Sequence, residues 1–234
     1  MALRSLGGLL YPLHGYAAFF PFFALFQRSP YSTCLEAIPV LPDWQLSVTQ
    51  LLVLQVAGWV IGLTVLMSFI EHQVHRRVMH RKGFFSSRIA ALKTAFEQHA
   101  IVHHGHYLKT FHDEPVPAGT DRGIQLSMRE GFLESLPFSL VIAVFSYTGA
   151  IIFPVIACMH HYIWNKIHME MHKPEDRFFT RWSVYKFLAR HHYLHHRYPN
   201  KNFNVVFPLA DYVLGTNARA NEADLAGMRA EGLL

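Results

Sequence analysis

Residues 51–70 read LLVLQVAGWVIGLTVLMSFI, and residues 71–80, EHQVHRRVMH, follow without a break. The first stretch decides the fold class. From Gln45 to Ile70 no residue is charged, and roughly 20 apolar residues in a helix cross a hydrocarbon layer of about 30 Å. The second stretch opens a polar segment with His75 and His80 five positions apart, at the end of a predicted span.

Working outward, Pro137–Trp164 also lacks Asp, Glu, Lys and Arg. Its 28 positions are too many for one span and too few for two full ones. With Gly149 and Pro154 inside, it predicts a pair of short, broken or tilted helices turning near Tyr147 to Gly149. Residues 9–27 are apolar and aromatic but contain Pro12, His14, Gly15 and Pro21. They predict a kinked or interfacial helix, retained as an anchor rather than cleaved as a signal peptide. The expected fold is therefore all-α: an integral membrane bundle of about four membrane-embedded helices with a cytosolic helical cap. One domain is expected over residues 1–234, ending in a short Ala/Glu-rich tail over 217–234.

Composition agrees with that class. Of 234 residues 51% are hydrophobic and 16% charged, and the mean hydropathy is +0.15; a disordered or fibrous chain is excluded. Cys34 and Cys158 form no CxxC pair, so neither a disulfide framework nor a thiolate metal site is indicated. Lys and Arg number one in residues 28–45, eight in 75–122 and ten in 166–234, which puts both long polar segments on the cytoplasmic side. The net charge of +5 then reads as attraction to an anionic leaflet, and no basic-aromatic array of the nucleic-acid-binding kind occurs.

Histidine numbers 17 against 16 for Asp and Glu together, and most of it falls into four groups: HxxxxH (His75, His80), HxxxHH (His99, His103, His104), HxxxH (His168, His172) and HxxHH (His192, His195, His196). At about 100° per residue, His99 and His103 are about 40° apart on a helix, as are His168 and His172, and His192 and His196. Each such pair can aim two imidazoles at one point. Adjacent histidines stand about 100° apart, so His103 and His104, or His195 and His196, can serve two ions. The step from His75 to His80 gives about 140°, which predicts either a π-type bulge or separate ions for the two rings. Ten donors exceed one ion's needs and divide into about five for each of two. Neutral imidazole suits Fe, Zn, Cu and Ni alike. No Glu precedes a His by three positions as in soluble carboxylate di-iron bundles, and no HExxH, GxSxG, P-loop or GxGxxG motif occurs.

The order of these four boxes, with apolar spans before the first and third, resembles the fatty acid hydroxylase superfamily, the sterol desaturase type of integral-membrane di-iron protein. Asn202-Phe203-Asn204 followed by Asp211-Tyr212-Val213-Leu214-Gly215-Thr216 is similar to that family's NFG and DxLFGT closure. The likeness runs from about Glu71 to Thr216. It departs from the pattern twice. The second box has three residues before its HisHis where many members have two, which makes His106 the nearest substitute for His99. Asn204 stands where Gly is usual, and Asn also tolerates positive φ.

The resemblance implies a dioxygen-dependent hydroxylase or desaturase of a long-chain lipid, such as a fatty acyl chain or a sterol. Two Fe ions are implied, with Zn possible in purified protein, held by His75, His80, His99, His103, His104, His168, His172, His192, His195 and His196. Glu71, His106, Asn165 and Glu170 are expected to support ligand rings or lie at the surface. Glu71 is the best placed of them, one helical turn before His75. The membrane is expected to be the bacterial inner membrane or the endoplasmic reticulum, with the metals on its cytoplasmic side. No segment is long enough for a fused haem domain, so a separate electron donor (a cytochrome b5-like protein, a ferredoxin or a reductase) is expected at Arg76, Arg77, Arg81 and Lys82. The alternative is a histidine-rich metal-binding or metal-transport protein, which should place charged or coordinating groups at mid-membrane.

Overall fold

A computed structural model describes residues 46–84, 87–107, 110–113 and 125–234. The chain divides into two units, 1–45 and 46–234. The anchor expected over residues 9–27 lies outside the described residues. Those that are described form helices and loops, with no strand among them.

Helix α1 (Val48–Val74) starts at a reciprocal cap: Gln50 N–H donates to Ser47 Oγ at 3.2 Å and Ser47 N–H to Gln50 Oε1 at 2.8 Å. With no Pro inside, it runs on through a π-helical turn, His75–Met79. An 18-residue stretch of the combined helix, Val48–Met79, has a mean hydropathy of 2.1, and the helix is long and apolar enough to cross a membrane, the one such helix among the described residues. Most of its apolar side chains face outward. Leu63, Met67, Ser68, Glu71, His72 and His75 form the buried stripe.

Helices α4 (Met128–Ala143) and α5 (Tyr147–His172) form an antiparallel hairpin. The chain breaks at residues 144–146, where Ser146 caps α5 by accepting from Gly149 N–H. Gly149 therefore lies inside the first turn of α5 instead of in the expected turn. Both helices are also longer than expected: a capping box at Ser127 starts α4 ahead of the apolar segment, and α5 continues beyond it to His172. Two glycines permit close approach: a Cβ on Gly131 would stand 2.7 Å from the His161 ring, and one on Gly149 2.7 Å from the Trp59 ring. Trp59 meets Gly149 and Glu71 approaches His160, so α1 and α5 run parallel, with Leu63, Met67, Phe153 and Ala157 buried around them. Parallel packing brings the histidine-bearing ends of both helices to one end of the bundle.

The remaining elements gather at that end. They are α2 (Ala90–Phe96), a second π segment (Glu97–His103) running into α3 (His104–His106), α6 (Ser183–Arg197), α7 (Leu209–Val213) and α8 (Glu222–Ala230). Their core joins Phe111, Trp164, Met171, Leu188, Tyr193, Leu194 and Val205 with Met228 of α8. The expected tail is thus a packed helix. Its end is tied down where Glu231 accepts from Phe111 N–H at 3.4 Å and pairs with His112 at 3.2 Å.

Candidate metal centre

Four segments deliver imidazoles to one place. His75, His80, His99, His104 and His195 form one group and His103, His168, His172 and His192 a second; within each group one donor atom per ring lies within 4.8 Å of all the others. His196 adjoins both, with Nε2 3.1 Å from His192 Nε2 and its ring stacked on His104 at 4.4 Å. Adjacent histidines divide between the groups: His104 and His195 belong to the first, His103 to the second, and His196 contacts His192 of the second.

The π turns set this division. The His80 N–H bonds the His75 carbonyl five residues back at 3.1 Å, so both rings join one group. In the second π segment the His104 N–H bonds the His99 carbonyl. An i→i+5 ladder overlays residues five apart. The expected pairing of His99 with His103 therefore gives way to His99 with His104. The extra residue of the second box is absorbed in the bulge, and His99 keeps its place among the imidazoles. His106 lies outside, half exposed, bonded to Asp113 at 2.7 Å.

Within the groups, neighbouring Nε2 atoms stand 2.8–3.2 Å apart: His75 with His99, His80 with His99 and His195, His104 with His195, and His192 with His172 and His196. Two nitrogens ~2.1 Å from a common ion are ~3.0 Å apart at right angles and ~3.4 Å apart at the tetrahedral angle. The spacing suits one coordination shell around each of two ions. Both ring nitrogens of His103 are buried without a hydrogen-bond partner, an arrangement that costs about 1–3 kcal/mol when left so. A metal ion held by the group would take up such a nitrogen.

Backbone carbonyls orient three rings. His75 Nδ1 donates to the Phe203 carbonyl, His195 Nδ1 to Lys201 at 2.7 Å and His172 Nδ1 to Phe111 at 2.8 Å. A carbonyl oxygen only accepts, so each Nδ1 carries the proton and each Nε2 turns a lone pair inward. Burial, helped by neighbouring imidazoles, pushes His99, His103, His192, His195 and His196 well below the ordinary histidine range. Burial likewise takes His104 down to about 3 and His80 to about 4. At neutral pH these rings are uncharged and ready to coordinate.

The four supporting residues act elsewhere than on the rings. Glu71 does not hold His75, whose Nδ1 is taken by Phe203. Instead its carboxylate accepts from Asn204 Nδ2 at 2.9 Å and Val205 N–H at 2.8 Å, pinning the segment that presents Phe203. Asn165 binds the backbone of Leu126 ahead of α4. Glu170, fully buried, pairs with Arg177 and accepts from the Glu175 and Arg177 N–H groups. The positive φ falls at Asn202 (φ 55°), not Asn204, whose side-chain amide donates to Glu71 and the Ser68 carbonyl.

Asp211 was not among the expected site residues. It gathers Thr216 and His191, with His72 3.6 Å away. The closure sequence contained the signal, because one short stretch held Asp211, Thr216 and two asparagines. The chain matches no protein-family model, no curated protein and no solved structure, so the reading of the site rests on its own residues.

Proposed function

We propose that this chain is a membrane-bound, dioxygen-dependent di-iron oxidoreductase that hydroxylates or desaturates a long-chain lipid. One observation carries the proposal: two adjoining groups of neutral, buried imidazoles, with donors at coordination-shell spacing, at the end of the bundle where α1 leaves its apolar stretch. The four-box order and its likeness to the hydroxylase superfamily supply the reaction class. In this reading α1, α4 and α5 are membrane-embedded helices, and the abundance of Lys and Arg beyond them puts the histidines on the cytoplasmic side.

Bound iron supplies the one thing acid-base side chains lack, the redox chemistry with dioxygen that attacks an unactivated C–H bond. Hydroxylation combines O2, the C–H bond, two electrons and two protons into an alcohol and one water; desaturation uses the same inputs, removes two hydrogens and yields two waters. The electrons come from a separate one-electron carrier. The protein's part is to hold neutral donors in fixed tautomers, through the carbonyls of Phe203, Lys201 and Phe111, and to keep water from the rings by burial.

Full-length protein purified in detergent is expected to hold about two iron equivalents and to consume oxygen only when lipid and an electron donor are present. His103→Ala and His195→Ala, one from each group, are each expected to lose about one equivalent and all turnover. Stoichiometric metal that exchanges freely, with no lipid-dependent oxygen uptake in any acyl or sterol pool, would replace the enzyme with the metal-transport alternative.

A further inference from the structure

Asp211 is fully buried and accepts four hydrogen bonds, two on each oxygen. Oδ1 takes Phe203 N–H at 2.9 Å and Thr216 Oγ1 at 2.7 Å; Oδ2 takes Asn204 N–H at 2.8 Å and His191 Nε2 at 3.0 Å. Burial opposes its ionisation, but the bonds from His191, Asn204, Thr216 and Phe203 outweigh that, and the carboxyl ionises below its ordinary value. The Asn204 N–H and the Phe203 carbonyl belong to one peptide group. Asp211 therefore holds one end of that group, while the other end accepts the proton of His75 Nδ1.

An anion on the N–H polarises the peptide and makes its carbonyl a stronger acceptor. A stronger acceptor at Nδ1 makes Nε2 a better metal donor. His195 offers the internal contrast. Its carbonyl comes from the Lys201–Asn202 peptide, whose N–H is bonded to the neutral carbonyl of Thr216 at 3.0 Å. The imidazole groups themselves contain no carboxylate, so two divalent ions would bring their charge into a buried site without an anionic ligand. We propose that Asp211 is a positioning residue that strengthens His75 as a metal donor through the Phe203–Asn204 peptide, the first group thereby acquiring a carboxylate–peptide–histidine relay that His195 lacks.

The inference rests on the metal reading above. Its test uses the full chain in detergent loaded with Co2+, comparing wild type with Asp211→Asn for release into excess chelator and for the ligand-field spectrum. In the variant, one of two Co2+ equivalents is expected to leave about tenfold faster, the usual scale for an outer partner of a ligand. That equivalent's absorption should shift while the other keeps its wild-type rate. Identical rates and spectra overturn the inference and leave the metal reading standing, whereas wild-type protein that binds no Co2+ overturns the metal reading itself. Equal acceleration of both equivalents also overturns the inference, since general loosening explains it. Should Asp211→Asn not fold, the wild type decides: in the zinc-loaded, 15N-histidine-labelled chain the His75 Nδ1–H resonance is expected downfield of that of His195, and equal or reversed shifts refute the relay.

Discussion

His80 is the half-buried ring of the first group and His104 the buried one beside it, and both contribute to the pH dependence of the centre. Their pKa values lie at about 4 and about 3 in the folded chain, against about 6.5 when unfolded. Between pH 6.5 and about 4 the unfolded state therefore binds more protons, and stability falls as the pH falls. Each buried ring adds up to about 1.4 kcal/mol per pH unit in that window. Thermal unfolding of the metal-free protein is expected to show a Tm that is level above pH 7 and drops below pH 6.5, with a shallower drop in His80→Gln. A Tm that rises on acidification would mean the rings carry charge and stand apart. At this scale the sequence was largely legible, since histidine type and spacing named all the rings that gather. The partners of His75 and His172 were not, because the Phe203 carbonyl lies 128 residues from His75 and the Phe111 carbonyl 61 from His172, and only folding brings them together.

The π segments show what element-level reading captured and what it lost. Ideal helical angles made the step from His75 to His80 awkward, and that awkwardness correctly raised a bulge as one alternative. The same angles paired His99 with His103, because nothing in AIVHH announces a second bulge. An expected consequence is unusual tolerance to deletion. Removing Ile101, which is exposed, should relax the segment to an α-helix in which His99 and His104 stand four apart and still share a face. Metal content should stay within about twofold of wild type. Inserting a further residue after Ile101 should rotate His103 and His104 by about 100° relative to His99 and cost at least one equivalent. Loss of metal from the deletion as severe as from the insertion would show that the bulge itself, rather than the register, is needed. Helix ends were harder to foresee. Apolar content marked 137–164, yet capping at Ser127 and Ser146 set where α4 and α5 start.

Across the molecule, charge and burial are arranged unevenly about the two groups. Arg77, Arg81 and Lys82 are exposed next to the first group, and Arg76 lies over the Phe203 ring at 5.9 Å, itself 5.8 Å from the rings of His75 and His195. If an acidic carrier docks there, charge reversal at Arg77 and Arg81 is expected to slow reduction several-fold at low salt, with the difference vanishing as salt is raised. Rates equal at all salt concentrations would place docking elsewhere. The whole-molecule arrangement was the least legible level: parallel packing of α1 on α5, and the folding of α8 into the histidine end, depend on contacts such as Trp59 on Gly149 and Met228 in the core, which no local pattern encodes. The late position of α8 and of Asp211 in the chain bears on biosynthesis. The carbonyl that steadies His172 belongs to Phe111, whose own N–H is held by Glu231, and Asp211 and Thr216 also follow every histidine of the centre. A nascent chain still emerging from the ribosome has all its imidazoles before it has Asp211, Thr216 and Glu231, which hold the carbonyl-bearing segments, so under the proposed metal reading a stalled chain ending before Asp211 should keep its ions less tightly than the finished polypeptide.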